Sequence, residues 1–152
     1  MRQKVESHFG LIMAVVIIMM IMPRYMSSPT VEYDSVRFEL AVKELEPGTE
    51  VKLTEITPFD WEICYTFDPY TSKQEIQRII GFASSSVKEA QSEGMVQLLF
   101  VKDDKVTASE CAYPETIGYD IDLKGRKEIR ASEDPVFRVT KKDELVILTL
   151  AE

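Results

Sequence analysis

The feature that most constrains this chain is an uninterrupted apolar run from Leu11 to Met22 (LIMAVVIIMMIM). It has no polar face, so it does not read as a helix lying on a globular core. In lipid such a stretch closes its own backbone hydrogen bonds only as a helix. Twelve residues at about 1.5 Å each span about 18 Å, short of the hydrocarbon core of about 30 Å. Phe9 and Gly10 extend the run slightly. The length suits a short membrane anchor over residues 9–22, or the apolar centre of a cleaved signal peptide. The flank favours the anchor: Tyr25 and Met26 stand where a cleavage site needs small residues, and no Cys follows for lipid attachment.

Orientation follows from charge. Arg2, Lys4 and the amino terminus precede the run, which places that end in the cytoplasm and the remainder outside, although Arg24 blunts the asymmetry. The expected layout is a cytoplasmic tip and anchor or signal segment over 1–24, a tether over 25–32, and an extracytoplasmic domain over 33–152. A cleaved segment would make the product secreted.

The two parts differ in charge. Residues 1–24 carry Arg2, Lys4 and Arg24 against Glu6, a net +2, so the remainder carries −10 of the chain's total of −8. That field repels phosphate backbones, and no nucleic-acid partner is expected. There is no Asn in the chain, hence no N-glycosylation site.

Past the tether, Asp34 or Ser35 can cap a helix starting near Val36, with Phe38, Ala41, Val42 and Leu45 on one face and Pro47-Gly48 as its stop. Trp61, Ile63, Tyr65 and Phe67 alternate with Glu62, Cys64 and Thr66, a strand pattern. Ser72 and Glu75 form a capping box before a second helix, with Ile76, Ile79 and Ile80 on its inner face and Gly81 beyond. Residues 95–101 and 105–113 read as strands joined at Asp103-Asp104, and 136–140 with 145–150 as a second hairpin. A short strand is expected at Tyr119–Leu123. The sum is an α+β domain behind the N-terminal hydrophobic helix: a small, mostly antiparallel sheet with two helices on one face.

Chemistry is constrained mainly by what is missing. The only His is His8, before the apolar run. The exported part therefore lacks an imidazole base for a Ser-His-Asp or Cys-His arrangement, and the commonest ligand of catalytic zinc. Asp120-x-Asp122-x-Lys124-Gly125 echoes the start of a calcium loop, but Lys124 replaces an oxygen ligand and Ala131 stands where the bidentate Glu belongs. No cofactor or metal is expected. Cys64 and Cys111 are the only cysteines. They read either as one extracytoplasmic disulfide or as two separate packed thiols. The aromatic run Phe59, Trp61, Tyr65, Phe67, Tyr70 reads chiefly as core. Its alternative is a binding surface built on Phe59, Trp61 and Tyr70.

The segment Phe59-Asp60-Trp61-Glu62-Ile63-Cys64-Tyr65, running through Pro69-Tyr70-Thr71-Ser72 to Glu75-Ile76, resembles a W-[DE]-x-x-Y…P-Y-T-S pattern. That pattern belongs to uncharacterised membrane-anchored or exported proteins of Gram-positive bacteria. The resemblance covers about residues 36–113 and implies a location and a fold but no activity; Cys64 departs from it. The expected function is non-catalytic binding of a protein or cell-envelope component. The alternative is a hydrolase acting on envelope polysaccharide through paired carboxylates alone.

Overall fold

The computed structural model describes residues 29–151. The apolar run and the helix expected there lie outside them. Among the described residues, no helix is long and apolar enough to cross a membrane.

The first helix, α1 (Pro29–Lys43), begins well before Val36. Proline suits a first helical position, where its missing N–H costs nothing. Residues 29–32, read above as the end of the tether, are therefore helical. Val31, Ser35, Phe38 and Val42 are buried at spacings of four, three and four, the stripe of one helical face. There follow β1 (Glu50–Lys52), the short α2 (Leu53–Ile56), β2 (Ile63–Tyr65) and α3 (Lys73–Ile80). After them come β3 (Val96–Lys102), β4 (Lys105–Ala112), α4 (Pro114–Ile117), β5 (Tyr119–Asp122) and β6 (Glu128–Arg130). A 3-10 turn (Ala131–Glu133) leads into β7 (Val136–Lys142) and β8 (Leu145–Leu150).

The local signals act as expected at α3. The Ser72 hydroxyl accepts the Glu75 N–H at 3.2 Å, and Gly81, at φ 89°, donates to the Gln77 carbonyl. Only glycine takes that left-handed conformation freely. The β3–β4 hairpin turns at Asp103 and Asp104, both at positive φ, as a two-residue turn matched to strand twist requires.

The strands form two four-stranded sheets, ordered β1-β7-β8-β5 and β4-β3-β2-β6, where one was expected. All pairs are antiparallel except β5 with β8. The two hairpins belong to different sheets and face a shared core. Phe137, Val139, Val146, Leu148 and Tyr119 enter it from the first sheet, and Cys64, Leu98, Phe100 and Ile129 from the second. A second, smaller core covers the other side of the second sheet. There Leu99, Val101 and Val106 meet Ile76 and Ile80 of α3, Val87 and Val31. The second sheet is thus buried on both faces, which is why six successive residues of β3 are buried and why five of those six are apolar, Gln97 being the exception.

Helix α1 does not lie on a common face with α3. It runs along β4, the edge strand, with Val31 in the small core and Phe38 and Val42 in the large one. Ser35 sits at the seam. Its hydroxyl donates to the Val31 carbonyl at 2.8 Å and accepts the Ser109 N–H of β4 at 3.0 Å. The next outward amide, Cys111 N–H, is taken by its neighbour Glu110. Exposed strand edges recruit other strands, and here these donors are occupied.

In the main core the Tyr119 hydroxyl is buried with no hydrogen-bond partner among the described residues. Burial raises its pKa well above the ordinary phenol value, and the Glu110 charge adds to this. A buried unpaired hydroxyl costs about 1–3 kcal/mol. Tyr119→Phe should therefore raise stability by about 1 kcal/mol in urea unfolding; a loss of that size would mean that the hydroxyl has a partner.

Candidate functional site

The structure separates the aromatic residues that the sequence grouped. Trp61 is 6 % exposed. Its indole N–H donates to the Thr57 hydroxyl at 2.9 Å, and its ring meets Phe100 edge-on at 5.5 Å. It is a core residue. Phe59 is half-buried against the same core and edges a cleft of about 390 Å³ beside Asp60 and Lys102. Tyr70 is 65 % exposed and takes φ 66°, its N–H bonded to the Ala90 carbonyl. These three do not form one surface: one is interior, and Tyr70 does not border the cleft at Phe59.

The cysteines are also apart, and both are free. Cys64 pairs with Phe100 of β3, and Cys111 pairs with Gln97 from the far side of the same strand. With β3 between them, the strands carrying them are about 9–10 Å apart, beyond the Cα separation a disulfide needs. They also point to opposite faces, since Phe100 is in the large core and Gln97 alternates away from it. Cys64, which the alternation groups with Glu62 and Thr66 against the aromatic side, is buried in the large core because both faces of this sheet are covered. Burial pushes both thiols up, Cys64 far more. Neither is an activated nucleophile.

The site that emerges is a groove of about 310 Å³ between β2, α3 and β6. Its floor is Tyr65 and Phe67, stacked with centroids 6.1 Å apart and planes 18° from parallel. Thr71, Glu75 and Ile79 form one wall; a spacing of four keeps them on one side of the helix and its lead-in. Lys127 and Glu128 form the other, with Glu128 directly opposite Tyr65 in register. Asp68 pairs with Lys127 across one end. Ile79, expected inside, is 46 % exposed and serves as the wall's apolar tip. Burial raises the Tyr65 phenol, and the Glu128 charge adds to this.

The carboxylates here are committed to cations. Arg78 donates from Nε to Glu75 at 2.8 Å, which holds that carboxyl below its ordinary range. Glu128 pairs with Arg130 at 2.7 Å. A glycosidase acid must hold its proton at neutral pH, with a raised pKa. The carboxyl that burial does raise is Glu110, which does not line the groove. Among the described residues, no cluster of three or more His, Cys, Asp or Glu side chains could hold a metal ion. The calcium-like Asp122 instead accepts the Lys124 N–H at 2.8 Å. Compared with models of known families, curated proteins and solved structures, the chain matches none.

Proposed function

We propose that this chain is a membrane-tethered extracytoplasmic domain that binds a protein or cell-envelope component in the Tyr65–Phe67 groove, without catalysis. The observation that carries the reading is the stacked aromatic floor open to solvent within a groove of about 310 Å³, within the size range of ligand sites. Aromatic faces give large contact area at low entropic cost, while Thr71, Glu75 and Lys127 supply the directional polar contacts. The apolar run at 11–22, the basic flank before it and the likeness to exported Gram-positive proteins support the location. The engagement of Asp68, Glu75 and Glu128 by Lys127, Arg78 and Arg130 supports binding over hydrolysis.

The test is crosslinking on intact cells followed by recovery of the full chain from membranes. Ile79→Asp places a charge at the exposed tip of the groove wall while leaving both cores intact. The wild type should carry a crosslinked species that this variant loses. The same species at equal yield on both would remove the groove from the binding surface.

A further inference from the structure

Helix α1 has an outer face that no other element among the described residues covers, its own Arg37 lying over the Tyr33 ring at 5.5 Å. Tyr33 is 63 % exposed, Val36 52 % and Leu40 56 %, and Pro29 is exposed above them. These four are spaced four, three and four apart, the a/d pattern of a coiled-coil seam. It lies opposite the buried stripe of Val31, Ser35, Phe38 and Val42. Lone exposed apolar residues need no explanation; a row at seam spacing on one helix does.

We infer that this face docks against the same face of a second copy, helix beside helix and in parallel. Charge selects the partner and its direction. With Tyr33 and Leu40 at a positions and Val36 at d, Glu32 and Glu39 flank one side of the seam and Arg37 and Glu44 the other. In a parallel pair, a g residue faces the e residue five positions on in its partner. Glu32 of each copy then faces Arg37 of the other, twice by symmetry. Arg37 Nη1 already donates to the Pro58 carbonyl at 3.0 Å and to Asp34 at 3.5 Å in its own chain, which leaves its other N–H groups for the partner. The second such pair, Glu39 with Glu44, is like-charged, but Glu39 already holds Lys43 of its own chain. An antiparallel pair would set Glu32 and Glu39 against the same glutamates along one side, and along the other would bring Arg37 beside Arg37 or Glu44 according to register. A lipid surface suits the face less well. Glu32, Glu39 and Glu44 border it, and the exported part carries −10, which anionic headgroups repel.

The seam is short, and so few side chains fall below the area of a stable soluble interface. The geometry of attachment makes up the difference, and here the inference rests on the anchor proposed above. Six residues, 23–28, separate Met22 from Pro29, so the start of α1 lies within about 25 Å of the end of the apolar run. Two copies held in one membrane enter with their helices pointing the same way. Confinement to a plane raises their effective concentration without any new contact.

The experiment uses the full chain in cell membranes, in a Cys111→Ser background, since Cys64 is buried. Tyr33→Cys and Leu40→Cys are introduced singly, with Lys141→Cys on the distant β7–β8 hairpin as control, and membranes are oxidised and run without reductant. Tyr33→Cys and Leu40→Cys should each give a homodimer band that Lys141→Cys lacks. Adding Arg37→Glu should lower that yield about tenfold, and Glu32→Lys on top of it should restore the band. Yields no higher than the control, in membranes that retain the chain, overturn the inference. So does crosslinking only between Tyr33→Cys and Leu40→Cys chains mixed together, which marks an antiparallel pair. A dye on Tyr33→Cys that shifts blue on phosphatidylglycerol vesicles without any crosslink makes lipid the occupant and also overturns it. If the chain is absent from the membrane pellet, the anchor reading fails by itself. The seam is then judged on the concentrated, purified full chain, where the same bands keep it and their absence removes it.

Discussion

Replacing Phe100 by Ala is expected to lower the stability of the domain by about 4 kcal/mol. Phe100 is where the aromatic part of the large core converges. Its ring meets Phe38 at 5.4 Å, Phe59 at 5.2 Å and Trp61 at 5.5 Å, each edge-on. Those rings come from α1 and from the segment leading into β2, so the cavity would lie between elements fixed by other contacts, where collapse is least able to fill it. Domains of this size hold about 5–15 kcal/mol in all. With a urea dependence of about 1.5–2 kcal/mol per molar, the midpoint should fall by about 2–3 M. The comparison is Ile79→Ala at the half-exposed groove wall, expected within about 0.5 kcal/mol of wild type. Equal midpoints for Phe100→Ala and wild type would mean that the two sheets do not share a core through this residue.

The second large effect concerns location. Ile17→Lys together with Ile18→Lys should move the full chain out of the membrane fraction. Each lysine near the centre of an apolar segment costs about 2.5–3.5 kcal/mol on insertion. Two cost about 6 kcal/mol, a factor of about 10⁴ in partition. The wild type should stay in the pellet after an alkaline wash, with an intact mass that includes residues 1–24. A mature chain in the medium lacking those residues would make the segment a cleaved signal. A double variant that still pellets would place the attachment elsewhere. Protease added to intact cells completes the topology: it should remove the domain without lysis.

Much of the fold was legible wherever the deciding forces are local. The Ser72–Glu75 box and Gly81 delimit α3 within one turn of chain at either end. Asp103-Asp104 makes a hairpin because the turn itself selects positive φ. What the sequence hides is the company each element keeps. β1 and β6 are three-residue strands, too short to alternate, and exist because β7 pairs with the one and β2 with the other. The largely apolar β3 signals burial without saying what lies on either side. It took the other sheet to make Cys64 as buried as Phe100, while α3 covers the opposite face. The groove was half-legible: Tyr65 and Phe67 stand out as a pair two residues apart, but their openness depends on Lys127 and Glu128. Those arrive from a distant strand with no local signature. Ile79 illustrates the same limit, since adjacent Ile79 and Ile80 cannot both face inward from one helix, and only packing decides which does.

The position of α1 bears on how the domain responds to force. Its residues belong to both cores, and its Ser35 is bonded to β4, so the element nearest the proposed anchor is structural rather than a handle. Tension arriving through Pro29 would load α1 lengthwise along β4, in shear, where packing and the Ser35 bond resist together. A pull directed outward would instead peel the helix away. That would withdraw Val31 first, then Phe38 and Val42, opening the small core before the large one. The same layout sets the boundary for shedding. A cut between Met22 and Pro29 would release the domain with α1 in place, whereas a cut after Lys43 would leave Phe38 and Val42 behind and the large core without one of its walls.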